Sequence, residues 1–329
     1  MKEIRYIQVV NQVLHEMMAG DDSYIYMGED VRSAIRGVAR DLHSSFGDER
    51  VLDCPISEAA FTGAATGAAM AGLRPIVEYQ ITALLYVAFD QLIDQAQKLT
   101  LMTGGQTSVP VTYLMAGSGW RPGIAAQHSD NPYALLVHSG MKTVIPMTAP
   151  DAAGLVRTAL LDPDPVMVFL PAAALPKRGE VANDGLAIPL GVGRIAKPGK
   201  DVTVVAIGAM LYDALAAAEE VADDGLEIEV VDPRSLLPFD YDLVAASVER
   251  TGRLVVCDDA SRSCGVASEI AATIAERCHG DLTAPIERIT RPDIPVPFSP
   301  TLETAVVPNK EVIVSCLRRV ATGDGDSQR

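Results

Sequence analysis

The chain reads as an α/β protein of two doubly wound domains, and three observations carry that expectation. Short β-rich runs alternate with helical stretches over most of the 329 residues, the pattern of parallel sheets covered by helices. Near the middle, PAAALPKRGEVANDGLAIPLG breaks the alternation with a stretch rich in Pro, Gly and Ala that has no clear period. Beyond it the alternation restarts, and the length suits two cores of ordinary size. The division expected is a first domain over 1–175, a linker over 176–195, a second domain over 196–322 and a flexible tail over 323–329.

In the first domain, strands are expected at Tyr24–Met27, Pro75–Tyr79, Val109–Met115, Thr143–Pro146 and Val166–Leu170, with helices between them, notably Ala59–Gly72 and Ala88–Leu101. In the second, strand Val202–Ile207 leads to helix Tyr212–Asp223. Strand Glu227–Val231, helix Asp240–Arg250, strand Leu254–Cys257 and helix Val266–Arg277 follow in turn. No repeat of fixed period stands out.

Composition removes several function classes. With 48% hydrophobic and 21% charged residues the chain is a globular protein, not a disordered one. A net charge of -16 repels phosphate backbones and anionic lipid, so no nucleic-acid or acidic-membrane partner is expected. The N-terminal stretch MKEIRYIQVVNQVLHEMMAGDD is amphipathic and carries acids early, unlike a signal peptide. The most apolar stretch, Ala59–Leu73, is Ala- and Gly-rich and interrupted by Thr62 and Thr66, short of the roughly 20 apolar residues of a membrane span. A cytoplasmic protein is expected. The five cysteines, Cys54, Cys257, Cys264, Cys278 and Cys316, form an odd set without CxxC, which fits buried, inert thiols better than disulfides or zinc.

The most informative segment is DCPISEAAFTGAATGAAMAGLRPIVEY, Asp53 to Tyr79. Ser57 is a reasonable N-cap for the helix that follows, which puts Glu58 in its first turn. On its own, a first-turn glutamate is more often a solvated acid favoured by the helix dipole. Gly63 and Gly67 lie four residues apart and leave one helix face nearly bare, so that face is expected at a subunit interface.

Several ordered motifs carry a family resemblance along nearly the whole chain. GEDV (Gly28–Val31), PISEAAFTGAATGAAMAGLRP (Pro55–Pro75), FDQ (Phe89–Gln91), GIAAQHS (Gly123–Ser129), GRLVV (Gly252–Val256) and PDIPVPFSPTLE (Pro292–Glu303) resemble the beta subunits of thiamin-diphosphate-dependent pyruvate, branched-chain 2-oxo acid and acetoin dehydrogenases. The resemblance implies a pyrimidine-binding first domain and a transketolase-type C-terminal domain. It also implies a role for Glu58: its carboxyl hydrogen-bonds the pyrimidine ring nitrogen of thiamin diphosphate and favours the tautomer whose exocyclic nitrogen acts as a base. His128 matches the family's active-site loop histidine, which positions the 2-oxo acid and helps pass the acyl unit to lipoamide; imidazole suits that step because it exchanges protons near neutral pH. His138 is given a structural role. Gln80, Leu84 and Tyr86 fall where the family lines the cofactor. The implied partner is an alpha subunit in an alpha2-beta2 heterotetramer, with thiamin diphosphate shared and Mg2+ held on the alpha side, and a lipoyl acyltransferase as a further partner.

The departures cluster in the active-site loops. Leu84 stands where the family has Phe against the pyrimidine, offering packing without aromatic stacking. The family's HSQ becomes His128, Ser129, Asp130, and its H-x-P-G-L-K segment shortens to HSGMK. The superfamily's phosphate and magnesium motif is GDG with Asn ligands further on; the GDG here, Gly323–Gly325, is followed by too little chain to be that motif, which also points to an alpha partner. GVG at Gly191–Gly193 lacks the strand-turn-helix setting of a dinucleotide site. The resemblance also implies a structural K+ held by carbonyls of Val111, Ala159, Asp162 and Asp164, beside the plainer reading of DPDP as a helix-ending turn. Two alternatives stay open: the C-terminal half of a split transketolase, and a non-catalytic scaffold subunit of the same fold.

Overall fold

The computed structural model describes residues 2–181 and 185–322. They gather into two compact units. One contains the described residues up to Gly119 together with His128–Leu190; the other contains Trp120–Gln127 and the described residues from Gly191 onward.

The first unit is built on strands β1 (Lys2–Arg5), β2 (Tyr24–Gly28), β3 (Val51–Asp53), β4 (Arg74–Tyr79), β5 (Thr112–Ser118), β6 (Lys142–Val144), β7 (Val166–Pro171) and β8 (Arg178–Val181). Its helices are α1 (Tyr6–Gly20), α2 (Leu42–Phe46), α3 (Glu58–Met70), α4 (Lys98–Met102), α5 (Tyr133–Ser139) and α6 (Ala149–Leu161). The main sheet runs β6-β7-β5-β4-β2-β3 with every neighbouring pair parallel. Strands such as β2 and β7 are buried at every position, the continuous apolar run of a sheet covered on both faces. α6 starts where Thr148 Oγ1 accepts the Asp151 N–H at 3.3 Å and Pro150 fits the first turn.

Three local expectations differ from what forms. Ser57 does take the N-cap position of α3, but its hydroxyl makes no capping bond. The single helix expected at Ala88–Leu101 is a π-helical segment, Gln91–Gln97, running into α4. Within the stretch expected to be linker, β8 pairs antiparallel with β1, Ile4 opposite Gly179. The tail from 323 on, with its GDG, lies outside the described residues.

The second unit contains β9 (Arg194–Lys197), β10 (Val202–Ala206), β11 (Ile228–Asp232), β12 (Ser235–Leu237), β13 (Leu254–Ser261) and β14 (Glu287–Arg291). Its helices are α7 (Met210–Glu220), α8 (Tyr241–Thr251), α9 (Val266–Arg277), α10 (Pro300–Val306) and α11 (Lys310–Thr322). The order β14-β13-β10-β11-β9 is parallel except at the β9 edge, which is antiparallel to β11. α8 is bounded as its sequence dictates: Asp240 Oδ1 accepts the Leu243 N–H at 3.0 Å, and Gly252 closes the helix in the left-handed region.

Among the cysteines, Cys257, Cys278 and Cys316 are buried and Cys54 is half-buried, and burial pushes all four thiols upward in pKa. Cys264 corrects the expectation of uniformly buried thiols: it is exposed, in a turn with left-handed backbone. Among the described residues no helix is long and apolar enough to cross a membrane.

Candidate active site

In an open parallel sheet the loops at the C-terminal ends of the strands converge and form the site. Here that edge gathers acids. β2 ends at Gly28, and a Cβ there would lie 2.4 Å from the Glu78 carbonyl oxygen, so only glycine lets β2 approach β4 this closely. The next residue, Glu29, is thereby set beside the start of α3. Glu58 opens that helix, only 4% exposed, and its Oε1 has no hydrogen-bond partner. A solvated first-turn acid would not be buried; Glu58 is.

Glu29 faces Glu58. Burial, and then the Glu58 carboxyl, push Glu29 up to about 7 in pKa, so near neutrality Glu29 can hold a proton. A third acid lies one strand over. Glu78, 1% exposed, accepts the Tyr26 hydroxyl at Oε2 (2.6 Å) and the Gln80 amide at Oε1 (3.2 Å). Burial pushes it up to about 7 as well, although both hydrogen bonds and the nearby Arg36 oppose the rise. Gln80 Nε2 also reaches the Glu29 carbonyl at 3.2 Å, and Arg36 Nη2 donates to the Gln80 carbonyl at 2.9 Å. Gln80 thus joins Glu78 to the backbone of Glu29.

Leu84 and Tyr86 lie in a short 3-10 helix, Thr82–Tyr86, which follows β4. Leu84 is half-buried and Tyr86 exposed. The Tyr86 hydroxyl donates to Asp130 Oδ2 at 3.1 Å, tying this helix to the residues just after His128. His128 itself is exposed in the one-turn 3-10 segment Ala126–His128, and His138 is exposed near the end of α5.

The positions expected to hold potassium come together elsewhere. They stand where β5 and β7 begin, the opposite edge of the sheet. The Val111 carbonyl accepts the Val166 N–H at 3.1 Å, and the Ala159 carbonyl accepts Thr112 Oγ1 at 3.0 Å. Arg74 Nη2 donates to the Asp162 carbonyl at 2.9 Å, while Lys142 Nζ sits 2.7 Å from Asp162 Oδ1 and 2.9 Å from Asp164 Oδ2. Lys142 thus meets the side-chain carboxylates of Asp162 and Asp164, while Arg74 meets the Asp162 carbonyl.

Sequence reasoning singled out Glu58 but missed Glu29 and Glu78. A signal existed for both. Glu29 is an acid immediately after a buried strand, and Glu78 interrupts the apolar run PIVEY, where a charged residue is rare unless it has a task.

The chain is an α/β protein with an acidic C-terminal edge on its first parallel sheet. Residues 2–177 match the family described as transketolase, pyrimidine binding domain, and residues 191–313 match transketolase, C-terminal domain. The chain is 41% identical over 322 residues to the acetoin:2,6-dichlorophenolindophenol oxidoreductase subunit beta of Bacillus subtilis, covering 93% of this chain and 94% of that protein. It is 38% identical to the mitochondrial pyruvate dehydrogenase E1 component subunit beta-2 of Oryza sativa subsp. japonica (97% and 86% covered) and 34% identical to the 2-oxoisovalerate dehydrogenase subunit beta of Bacillus subtilis (98% and 99%). A solved structure titled split gene transketolase, inactive beta4 tetramer, has the same fold, with a TM-score of 0.77 at 23% identity over 97% of this chain and 99% of that one. The chain belongs to the family of beta subunits of thiamin-diphosphate-dependent 2-oxo acid dehydrogenases.

Proposed function

We propose that this chain works with an alpha subunit in an alpha2-beta2 heterotetramer that decarboxylates a 2-oxo acid and hands the acyl unit to lipoamide or another acceptor. Thiamin diphosphate would be shared between the two subunits, with its Mg2+ on the alpha side. The observation that carries this reading is Glu58, a buried carboxyl at a helix start whose Oε1 accepts no hydrogen bond from a protein donor and whose neighbour is another acid, Glu29. A buried carboxyl of that kind fits a pyrimidine ring nitrogen, the oxygen and the nitrogen sharing one proton between them. When bound, the cofactor supplies the carbon nucleophile and the electron sink for decarboxylation.

The residues of this chain do the rest. Glu58 orients the pyrimidine, and Glu29 beside it can hold a proton at that end of the site. Leu84 offers an apolar surface in place of an aromatic one. Tyr86, through Asp130, anchors the segment after His128, which meets the substrate and exchanges a proton during acyl transfer. No step is assigned to potassium.

A second substrate, a 2-hydroxyketone such as acetoin, is favoured by the 41% identity to two acetoin:2,6-dichlorophenolindophenol oxidoreductase subunits, from Bacillus subtilis and Cupriavidus necator. The test is co-purification with the alpha chain, followed by assays of decarboxylation of pyruvate and branched-chain 2-oxo acids and of acetoin cleavage. Glu58→Gln should lower turnover by about a hundredfold to ten-thousandfold. Equal turnover would remove the role given to Glu58. The chain alone should bind thiamin diphosphate weakly, and micromolar binding without the alpha chain would defeat the shared-site reading.

A further inference from the structure

Two motifs of this chain lie far apart in sequence, GIAAQHS beginning at Gly123 and PDIPVPFSPTLE ending at Glu303. The second unit joins them through one side chain. Glu303, in α10, is 2% exposed. Its Oε1 accepts the indole N–H of Trp120 at 2.9 Å and the backbone N–H of Gly123 at 3.1 Å, and Oε2 lies 3.4 Å from the same Gly123 nitrogen. Trp120 is the chain's single tryptophan.

The stretch so held is not relaxed. Gly123 takes φ +78° with open space where a Cβ would be, so its backbone conformation, not crowding, calls for glycine. Ala125 takes φ +55°, a region that L-residues with a Cβ avoid. Backbone of this kind persists where surrounding contacts over-determine it. A buried carboxylate receiving two N–H donors is a strong contact of that type. His128 follows this stretch directly.

We propose that Glu303 is a positioning residue: its carboxylate docks residues 120–127 through Trp120 and Gly123, and so sets the backbone that leads into His128. The docking stands on the geometry alone. Its catalytic consequence rests on the role proposed above for His128.

The experiment uses the assembled alpha-beta enzyme and compares wild type, Glu303→Gln and Trp120→Phe by amide hydrogen exchange and steady-state kinetics. A glutamine keeps one neutral acceptor oxygen for Trp120 and Gly123 but loses the carboxylate charge and sets its NH2 where Oε2 meets the Gly123 N–H, so exchange over residues 120–128 should quicken about tenfold, with α3 unchanged. Trp120→Phe, which removes one donor and keeps the carboxylate, should show a smaller effect of the same sign. It also carries the comparison if Glu303→Gln does not assemble. Acyl transfer should lose about tenfold in kcat, with KM for the 2-oxo acid unchanged. Unchanged exchange over 120–128 in both variants overturns the docking. Quickened exchange with unchanged kcat overturns the positioning of His128. A Glu58→Gln enzyme as active as wild type would instead count against the family mechanism and leave the exchange result standing.

Discussion

In the second unit, buried Asp232 lies 3.0 Å from Arg194 and buried Glu229 lies 2.7 Å from Arg250. In the first unit, Glu78 is as deeply buried as Asp232, yet it is met by the Tyr26 hydroxyl and the Gln80 carboxamide, and Glu58 is met by another acid, Glu29. A guanidinium holds a buried carboxylate in its charged form and so fixes it as a structural group. Hydroxyls, amides and a second acid leave a carboxyl free to gain or lose its proton near neutral pH. Glu29 and Glu78 therefore hold movable protons at the strand ends of the first unit, while Asp232 and Glu229 stand as fixed charges in the second.

The largest break in that contrast should come at Glu58. Glu58→Gln is expected to lose about two to four orders of magnitude in turnover while melting no earlier than wild type. A melting temperature several degrees lower would place Glu58 with Asp232 among the structural acids. Arg194→Met is expected to do the reverse. Leaving Asp232 buried without its guanidinium should cost about 2 kcal/mol, discounted because Arg194 is partly exposed. A lower urea midpoint at unchanged m-value would register that loss.

Glu78→Gln sharpens the contrast through pH. The folded-state pKa of Glu78, about 7, lies above its ordinary value of 4.5. Its contribution to stability is therefore fully present below about 4.5 and is lost as pH rises to about 7. The variant should lose less stability than wild type across that window, although Glu29, pushed the same way, retains part of the slope. Parallel stability curves would mean that Glu78 stays ionised throughout. The smallest effect is expected at Tyr86→Phe. Its hydrogen bond to Asp130 is exposed, so stability should change by less than about 0.5 kcal/mol, and kcat for acyl transfer should fall severalfold. An unchanged kcat would detach Tyr86 from the loop.

The second half of the chain was the more legible. Helix Val266–Arg277 forms with the bounds its pattern implies, and the run VTVV becomes part of a fully buried parallel strand because its largely apolar character suits a sheet covered on both faces. The π-helical segment at Gln91–Gln97 was not legible, since the widened turn leaves no mark in hydrophobic spacing. Nor was the pairing of β1 with β8, whose partners are separated by most of the unit. At the site, Glu58 was found because its motif is ordered along a family pattern. Glu29, Glu78 and Glu303 escaped because their significance depends on which strand, amide or indole stands opposite, and a linear chain does not display that.

The β1–β8 pair also bears on how the protein is made. β1 ends at Arg5, and its partner in that two-stranded sheet is β8, ending at Val181. At cellular elongation rates the ribosome reaches that point roughly ten to forty seconds later. Through that interval β1 lacks the strand it pairs with, so its unpaired backbone edge is open to pairing with other chains.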